Sequence, residues 1–208
     1  PKGIDEDIVR QISQLKGEPE WMLQLRLKGY KNFAERPQPS FGPNLDFIKF
    51  QDYRYFTRYT KGVSKSWDDV PETIKNTFKK LGIPEQEQKY LAGVNTQYES
   101  ESVYSSMLKE VDEKGVIFCD TDTALKKYPE LVKKYFGTVI PFNDNKYAAL
   151  NTAVWSGGIF IYVPKGVHVD KPLQSYFRIN NALSGQFERS LIVVDDDASL
   201  HFVEGCTA

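Results

Sequence analysis

The strongest constraint on how this chain can fold lies between Trp155 and Ala208, where short strand-like runs follow one another, each closed by a tight turn. Ile159 to Val163 is an apolar run that stops at Pro164-Lys165-Gly166, and Leu173 to Asn180 stops in a polar loop closed by Gly185. Phe187 to Val194 stops at Asp195-Asp196-Asp197, and Ser199 to Val203 stops at Gly205. β-branched and aromatic residues fill the runs, and Gly, Pro, Asn and Asp punctuate them, as strands and turns require. Units of this spacing fold as a sheet-on-sheet stack or as a solenoid.

The segment before it reads differently. Asp5 to Lys16 has a capping aspartate and Ile8, Ile12 and Leu15 at helical spacing, and Gly17 ends it. A second helix is expected from Glu18, with Pro19 in its first turn, Trp21, Met22, Leu25 and Tyr30 on its apolar side, and Pro37 and Pro39 as its stop. Residues 40–65 read as an aromatic-rich loop. Helices are then expected at 66–82, from Pro84 towards Tyr90, and from about Glu99 to Glu113. Gly115 to Asp120 reads as a buried strand, Asp120 or Thr121 as the cap of a short helix, and Pro129 as the start of another that ends at Gly137. Residues 143–150 read as a junction into the strand region. The expected division is a mainly helical part, 1–140, packed closely against a strand part, 141–208.

The chain has 208 residues, enough for one large domain or two small ones with a real core. Its 27 basic and 28 acidic residues leave a net charge of −1, which gives no global electrostatic case for nucleic acid or an anionic membrane. The aromatics of residues 40–65, interleaved with Lys49, Arg54 and Arg58, therefore read as the cover of a core edge and not as a base-stacking surface. No apolar run approaches the roughly 20 residues of a membrane helix. The first residues lack the apolar core of a signal peptide. A cytoplasmic protein is the expectation, or a plastid one if a transit peptide has been removed.

Two cysteines, Cys119 and Cys206, allow at most one disulfide, and neither belongs to a CxxC pair. With only His168 and His201 beside them, a complete local zinc site is not expected. Cys206 follows a run and a glycine, so its thiol is expected at a turn, where a thiolate could accept sulfane sulfur or bind iron; a packed, inert thiol is the alternative. Arg178 and Asn180 are two apart in a strand and share a face, about 7 Å apart, with Gln174 and Tyr176. A guanidinium near a thiol would stabilise a thiolate or persulfide anion, whereas an outward-facing Arg178 would be solvated. Cys119 reads as a small apolar strand residue, and both histidines as structural hydrogen-bonding groups. Asp195, Asp196 and Asp197 read as a solvated turn. Lys165-Gly166 is a turn and not a phosphate loop; no GxxxxGK[ST] pattern occurs, so no direct ATP site is expected.

Several motifs in order carry a resemblance. They are Lys16 to Met22 (KGEPEWM), Ser66 to Glu72 (SWDDVPE), Val116 to Ala124 (VIFCDTDTA), Leu150 to Gly158 (LNTAVWSGG), Tyr162 to His168 (YVPKGVH), Tyr176 to Asn180 (YFRIN), Gly185 to Arg189 (GQFER) and Val203 to Ala208 (VEGCTA). Together they resemble the SufB family, the scaffold subunits of the SUF iron–sulfur cluster assembly system, over nearly the whole chain. The resemblance implies a mixed α+β fold in which the helical N-terminal part is followed by strands of a right-handed parallel β-helix, incomplete at the C-terminus. It implies a scaffold and not an enzyme. Cys206 would be the sulfur acceptor or relay and a candidate ligand of the cluster, with Arg178 and Asn180 on the path of the sulfur. The implied partners are SufC, which supplies ATPase activity, SufD, and a cysteine desulfurase with its sulfur-transfer protein; no nucleic acid or membrane is implied. The implied cofactors are a transient iron–sulfur cluster and, within the complex, reduced flavin. The family continues beyond the Cys206 motif with more β-helix and a C-terminal helical region, so these residues alone are expected to expose strand edges and self-associate. The alternatives are a SufD-like docking module in which Cys206 is a structural thiol, and, more weakly, a thiol enzyme with Cys206 as nucleophile and His201 as base.

Overall fold

The computed structural model describes residues 2–58, 68, 72, 75, 76, 79, 93–98, 101–178 and 183–207. The helix expected from Pro84, most of the one expected over 66–82, and the candidate Asn180 lie outside these residues.

Helix α1 runs over Glu6–Lys16. Asp5 caps it by accepting a hydrogen bond from the Ile8 amide at 2.7 Å, and Gly17, at φ 62°, turns the chain out of it. Its buried face is Val9, Ile12, Ser13 and Lys16, one step round from the expected stripe, and Leu15 is 54% exposed. Helix α2, Glu20–Glu35, begins after Pro19 and buries Met22, Arg26, Gly29 and Phe33. A 3-10 turn, Phe50–Asp52, follows in the aromatic loop.

The short helices α3 (Lys109–Asp112), α4 (Thr121–Lys127) and α5 (Pro129–Tyr135) flank the strand region. Asp120 caps α4 by accepting from the Thr123 amide at 2.8 Å. Helix α6, Lys146–Val154, occupies what reads in sequence as a junction. Asn145 caps it, and Ala148, Ala149, Leu150, Thr152, Ala153 and Val154 are all buried, so no amphipathic stripe marks it. It packs on α2 at Gly29, where a Cβ would lie 2.9 Å from the Ala149 carbonyl oxygen; only glycine permits that approach.

Two sheets complete the fold. One has the order β2-β1-β5-β7, from β1 (Gly93–Tyr98), β2 (Glu101–Met107), β5 (Leu173–Arg178) and β7 (Phe202–Thr207). The other has the order β3-β4-β6, from β3 (Ile117–Asp120), β4 (Ile159–Val163) and β6 (Leu191–Val194). Each sheet thus draws strands from both sides of residue 140.

The helix expected over 99–113 is largely strand β2. Its Ser-Val-Tyr-Ser-Ser core is a poor helix former, and it pairs antiparallel with β1. Beyond the antiparallel pairs β1–β2 and β3–β4, every strand pairing among the described residues is parallel: β1 with β5, β5 with β7, and β4 with β6. From β4 onward the chain alternates between the sheets, and the connecting turns stack as well, with His168 bridged in parallel to Ser199. The offset between stacked residues is nearly constant: 160 to 191, 168 to 199, 173 to 202.

The core between the sheets holds Ile159, Ile161, Val163 and Leu173, with Phe202 at its edge. Phe160 points the other way, into a second cluster with Met22, Leu125, Phe136 and Trp155. β4 is therefore buried on both faces, which explains its unbroken apolar run. Ile161 and Val163 face inward, and their partners Ile192 and Val194 on the edge strand β6 are each 43% exposed.

Candidate functional site

Cys206 lies inside a strand and not at a turn, correcting the expectation drawn from Gly205. Strand β7 begins at Phe202 and runs through both residues to Thr207. Gly205 sits opposite Tyr176, and a Cβ there would approach the Tyr176 ring at 2.8 Å. The glycine makes room for a ring and does not bend the chain.

The register fixes the faces. Cys206 is aligned with Phe177, and Glu204 with Ser175; Phe177 and Ser175 are fully buried on the inward face of β5. Gln174, Tyr176 and Arg178 alternate onto the opposite face, half-buried, as the sequence pattern predicts. Arg178 is aligned with Thr207, so Arg178 and Cys206 belong to opposite faces of one sheet. The guanidinium therefore does not adjoin the thiol in the way expected.

The neighbours of Cys206 are instead residues that sequence reasoning passed over. Its Sγ lies 3.8 Å from Gln186 Oε1, and Gln186 Nε2 donates to Glu188 Oε2 at 2.5 Å. Glu204 is two residues away on β7 itself. Burial raises the thiol pKa above its ordinary value, and the Glu188 and Glu204 charges raise it further. Burial, helped by the Glu204 charge, pushes the Glu188 carboxyl up to about 7. These effects favour the thiol over the thiolate that would accept sulfur. Only the Gly185 to Arg189 motif hinted at these residues in sequence, and nothing in it said which strand it would face.

The segment bearing Gln186 and Glu188 is firmly anchored. The Ser156 amide donates to Phe187 O at 2.9 Å, Asn151 Nδ2 to Glu188 O at 2.9 Å, and Thr121 Oγ1 to Arg189 O at 2.7 Å. Arg189 donates to Asn151 Oδ1 and Ile140 O, and the Phe187 ring packs on Tyr55 at 5.1 Å. These anchors come from α4, α6 and the turn after α6, so the helical part of the chain sets where Glu188 sits.

The other candidates take structural places. Cys119 and Cys206 are both free thiols. Cys119 is half-buried in β3 opposite Phe160, and burial pushes its thiol up to about 12. His168 Nδ1 lies 2.8 Å from Ser199 Oγ, and the His201 carbonyl accepts from the Leu173 amide at 2.9 Å. Asp195 to Asp197 form a turn stacked on Pro164 to Gly166, with the Gly166 amide donating to Asp196 O at 2.9 Å. Among the described residues no group of three or more His, Cys, Asp and Glu side chains is arranged to hold a metal ion, so the neighbours of Cys206 lend its role as cluster ligand no support. A cleft of about 590 Å³ is lined by Tyr30, Phe33, Phe50 and Lys146. Beside it the Lys146 ammonium donates to the Phe33 and Arg36 carbonyls at 2.7 and 2.6 Å. Among the described residues no helix is long and apolar enough to cross a membrane.

Fold and site together define a mixed helix-and-strand protein whose stacked parallel strands present one thiol beside two carboxylates. Comparison with known proteins gives that class a family. The profile of the SufBD protein N-terminal region matches residues 16–175. Iron-sulfur cluster assembly SufBD family proteins of Staphylococcus aureus (strain USA300) and Staphylococcus haemolyticus (strain JCSC1435) are each 59% identical to this chain over 207 residues. The chain belongs to the SufBD family. The alignments cover 100% of this chain and 44% of those relatives, so it spans less than half of their length.

Proposed function

We propose that this chain is the sulfur-accepting portion of a SufB-type scaffold for iron–sulfur cluster assembly, with Cys206 as the acceptor. The observation that carries the reading is a free thiol at the end of a parallel strand, exposed and flanked by an anchored Gln186–Glu188 pair. The relatives' family and the Val203 to Ala208 motif support it. The stacking of β4 on β6 and β5 on β7, with its near-constant offset, supports two successive coils of a right-handed parallel β-helix.

In this reading the cluster is cargo. A cysteine desulfurase and its sulfur-transfer protein supply persulfide sulfur, SufD completes the scaffold and SufC supplies ATP hydrolysis; the chain is not itself an enzyme, and it works in the cytoplasm. Arg178 and Asn180 act on the onward path of the sulfur and not as partners of the resting thiol. No step runs through flavin.

The Cys206 thiolate attacks the outer sulfur of a persulfide R–S–SH. The S–S bond breaks, R–S⁻ leaves with the electron pair, and Cys206 carries the sulfane sulfur. No external oxidant or reductant is required.

One observation favours a second reading. Burial and two carboxylates raise the Cys206 pKa, as suits a structural thiol in a SufD-like docking module. Cys206→Ser in the full-length protein separates the two. The acceptor reading predicts loss of at least about tenfold in cluster delivery to an apo-ferredoxin with complex assembly intact. Delivery at the wild-type rate selects the docking module.

A further inference from the structure

Sulfur uptake needs the Cys206 thiolate, which burial and the Glu188 and Glu204 charges disfavour. The Gln186 side chain lies between Cys206 and Glu188. A Gln amide has one accepting and one donating end. Nε2 of Gln186 faces Glu188 and Oε1 is turned to the sulfur, the orientation that suits an ionised carboxylate, which only accepts. A carbonyl can accept an S–H but offers nothing to a sulfur anion, so this orientation selects the thiol.

A half-turn of the amide about its terminal torsion reverses both ends, and that torsion is broad and nearly two-fold. Nε2 would then donate to a thiolate, and Oε1 would accept from a protonated Glu188. Every polar group keeps a partner in both states, and the net change is one proton.

We propose that Gln186 and Glu188 are positioning residues for sulfur uptake at Cys206: as the exposed thiol gives its proton to solvent, Glu188 takes one up and the Gln186 amide turns to present its N–H to the thiolate. The proposal rests on Cys206 being the sulfur acceptor. After the thiolate has attacked the outer sulfur of the donor persulfide, Glu188 returns its proton to the departing R–S⁻. The amide turns back, and its carbonyl accepts from the new S–S–H group. The carboxyl of Glu188, raised to about 7, is suited to exchange a proton near neutrality. The anchored backbone keeps it from swinging away from the thiol. The charged groups facing Cys206 are Glu188 from the anchored segment and Glu204 from β7; Glu204 also faces Glu188, and the residue aligned with Cys206 on β5 is the uncharged Phe177.

The test follows alkylation of Cys206 by iodoacetamide against pH in the full-length protein, read by peptide mass, and then sulfur uptake from glutathione persulfide. Glu188→Gln should lower the pH midpoint of Cys206 alkylation by about one unit, and Glu188→Asp should keep it near the wild-type value. Gln186→Met, which fills the same space without an amide, should slow sulfur uptake at pH 7 by roughly tenfold. Loss of the Glu188 charge moves the midpoint whatever its role, so a purely structural role is recognised by sulfur uptake at the wild-type rate in Gln186→Met. Equal midpoints in wild type and Glu188→Gln overturn the proposal, as does unchanged uptake in Gln186→Met. The second variant decides the matter if the first does not fold. If the midpoint moves but wild-type Cys206 takes no sulfur, the acceptor reading falls and the transfer step with it.

Discussion

Gly205 and Cys206 show what a single residue's context can change. Read in sequence, a glycine before a cysteine suggests a turn; in the fold both residues are paired in β7, and the glycine yields its space to the Tyr176 ring. Gly205→Ala should tilt that ring and loosen the end of β7, at a cost of roughly 1–2 kcal/mol. A lower urea midpoint together with faster alkylation of Cys206 is the expected pair of results; if neither changes, the ring does not explain the glycine. Legibility at this scale was uneven. The alternation of Gln174, Tyr176 and Arg178 against Leu173 and Phe177 was readable from a period of two, and it holds. That Arg178 and Cys206 fall on opposite faces depends on the register between β5 and β7, which no local pattern encodes. Glu188 was invisible for the same reason: its proximity to Cys206 comes from anchors on α4 and α6, far away in sequence.

Among the elements, those with local signals were legible and those specified by tertiary contacts were not. Asp5 and Gly17 bound α1 as their chemistry dictates, and β4 has the limits its apolar run suggests. Helix α6, apolar all round, gave no stripe to read, and β2 takes its state from pairing with β1. The cations Lys16 and Arg26 are the clearest case. Position alone assigns both to solvent, yet both lie over the Trp155 ring, at 4.5 and 4.7 Å. Lys16 pairs with Asp122 and donates to Ser156 Oγ at 3.1 Å, tying α1 to the turn after α6. Arg26 pairs with Glu18 and donates to the Ala153 and Trp155 carbonyls at 3.0 and 2.8 Å; the side chains of the Arg26–Glu18 pair are 0% and 1% exposed. Arg26→Met alone leaves Glu18 buried without a partner and should cost about 3–5 kcal/mol, whereas Arg26→Met with Glu18→Met should recover most of that. Urea unfolding of both variants checks this; strictly additive losses would show that the two charges do not act as a pair.

At the scale of the whole molecule, the helical part serves as a frame for the strand part. α2, α4 and α5 close one side of the β4 region, and residues that hold Glu188 beside the thiol come from α4, α6 and the turn that follows. Both sheets grow by parallel addition towards β6 and β7, where Ile192 and Val194 remain exposed and Cys206 is presented. That arrangement places the thiol on the inward face of the last stacked strand. The SufBD family was legible from motifs spread along the chain. The direction of strand stacking was not, since short alternating runs serve sandwiches and solenoids alike. The central claim is that this architecture makes Cys206 a sulfur acceptor. It is tested most directly by incubating the full-length protein, with its partners bound, with a cysteine desulfurase, its sulfur-transfer protein and cysteine, then digesting without reductant and mapping added sulfur by mass. The account predicts added sulfur on the peptide carrying Cys206 and none on that carrying Cys119, whose buried thiol stays protonated. A Cys206 peptide without added sulfur would contradict it.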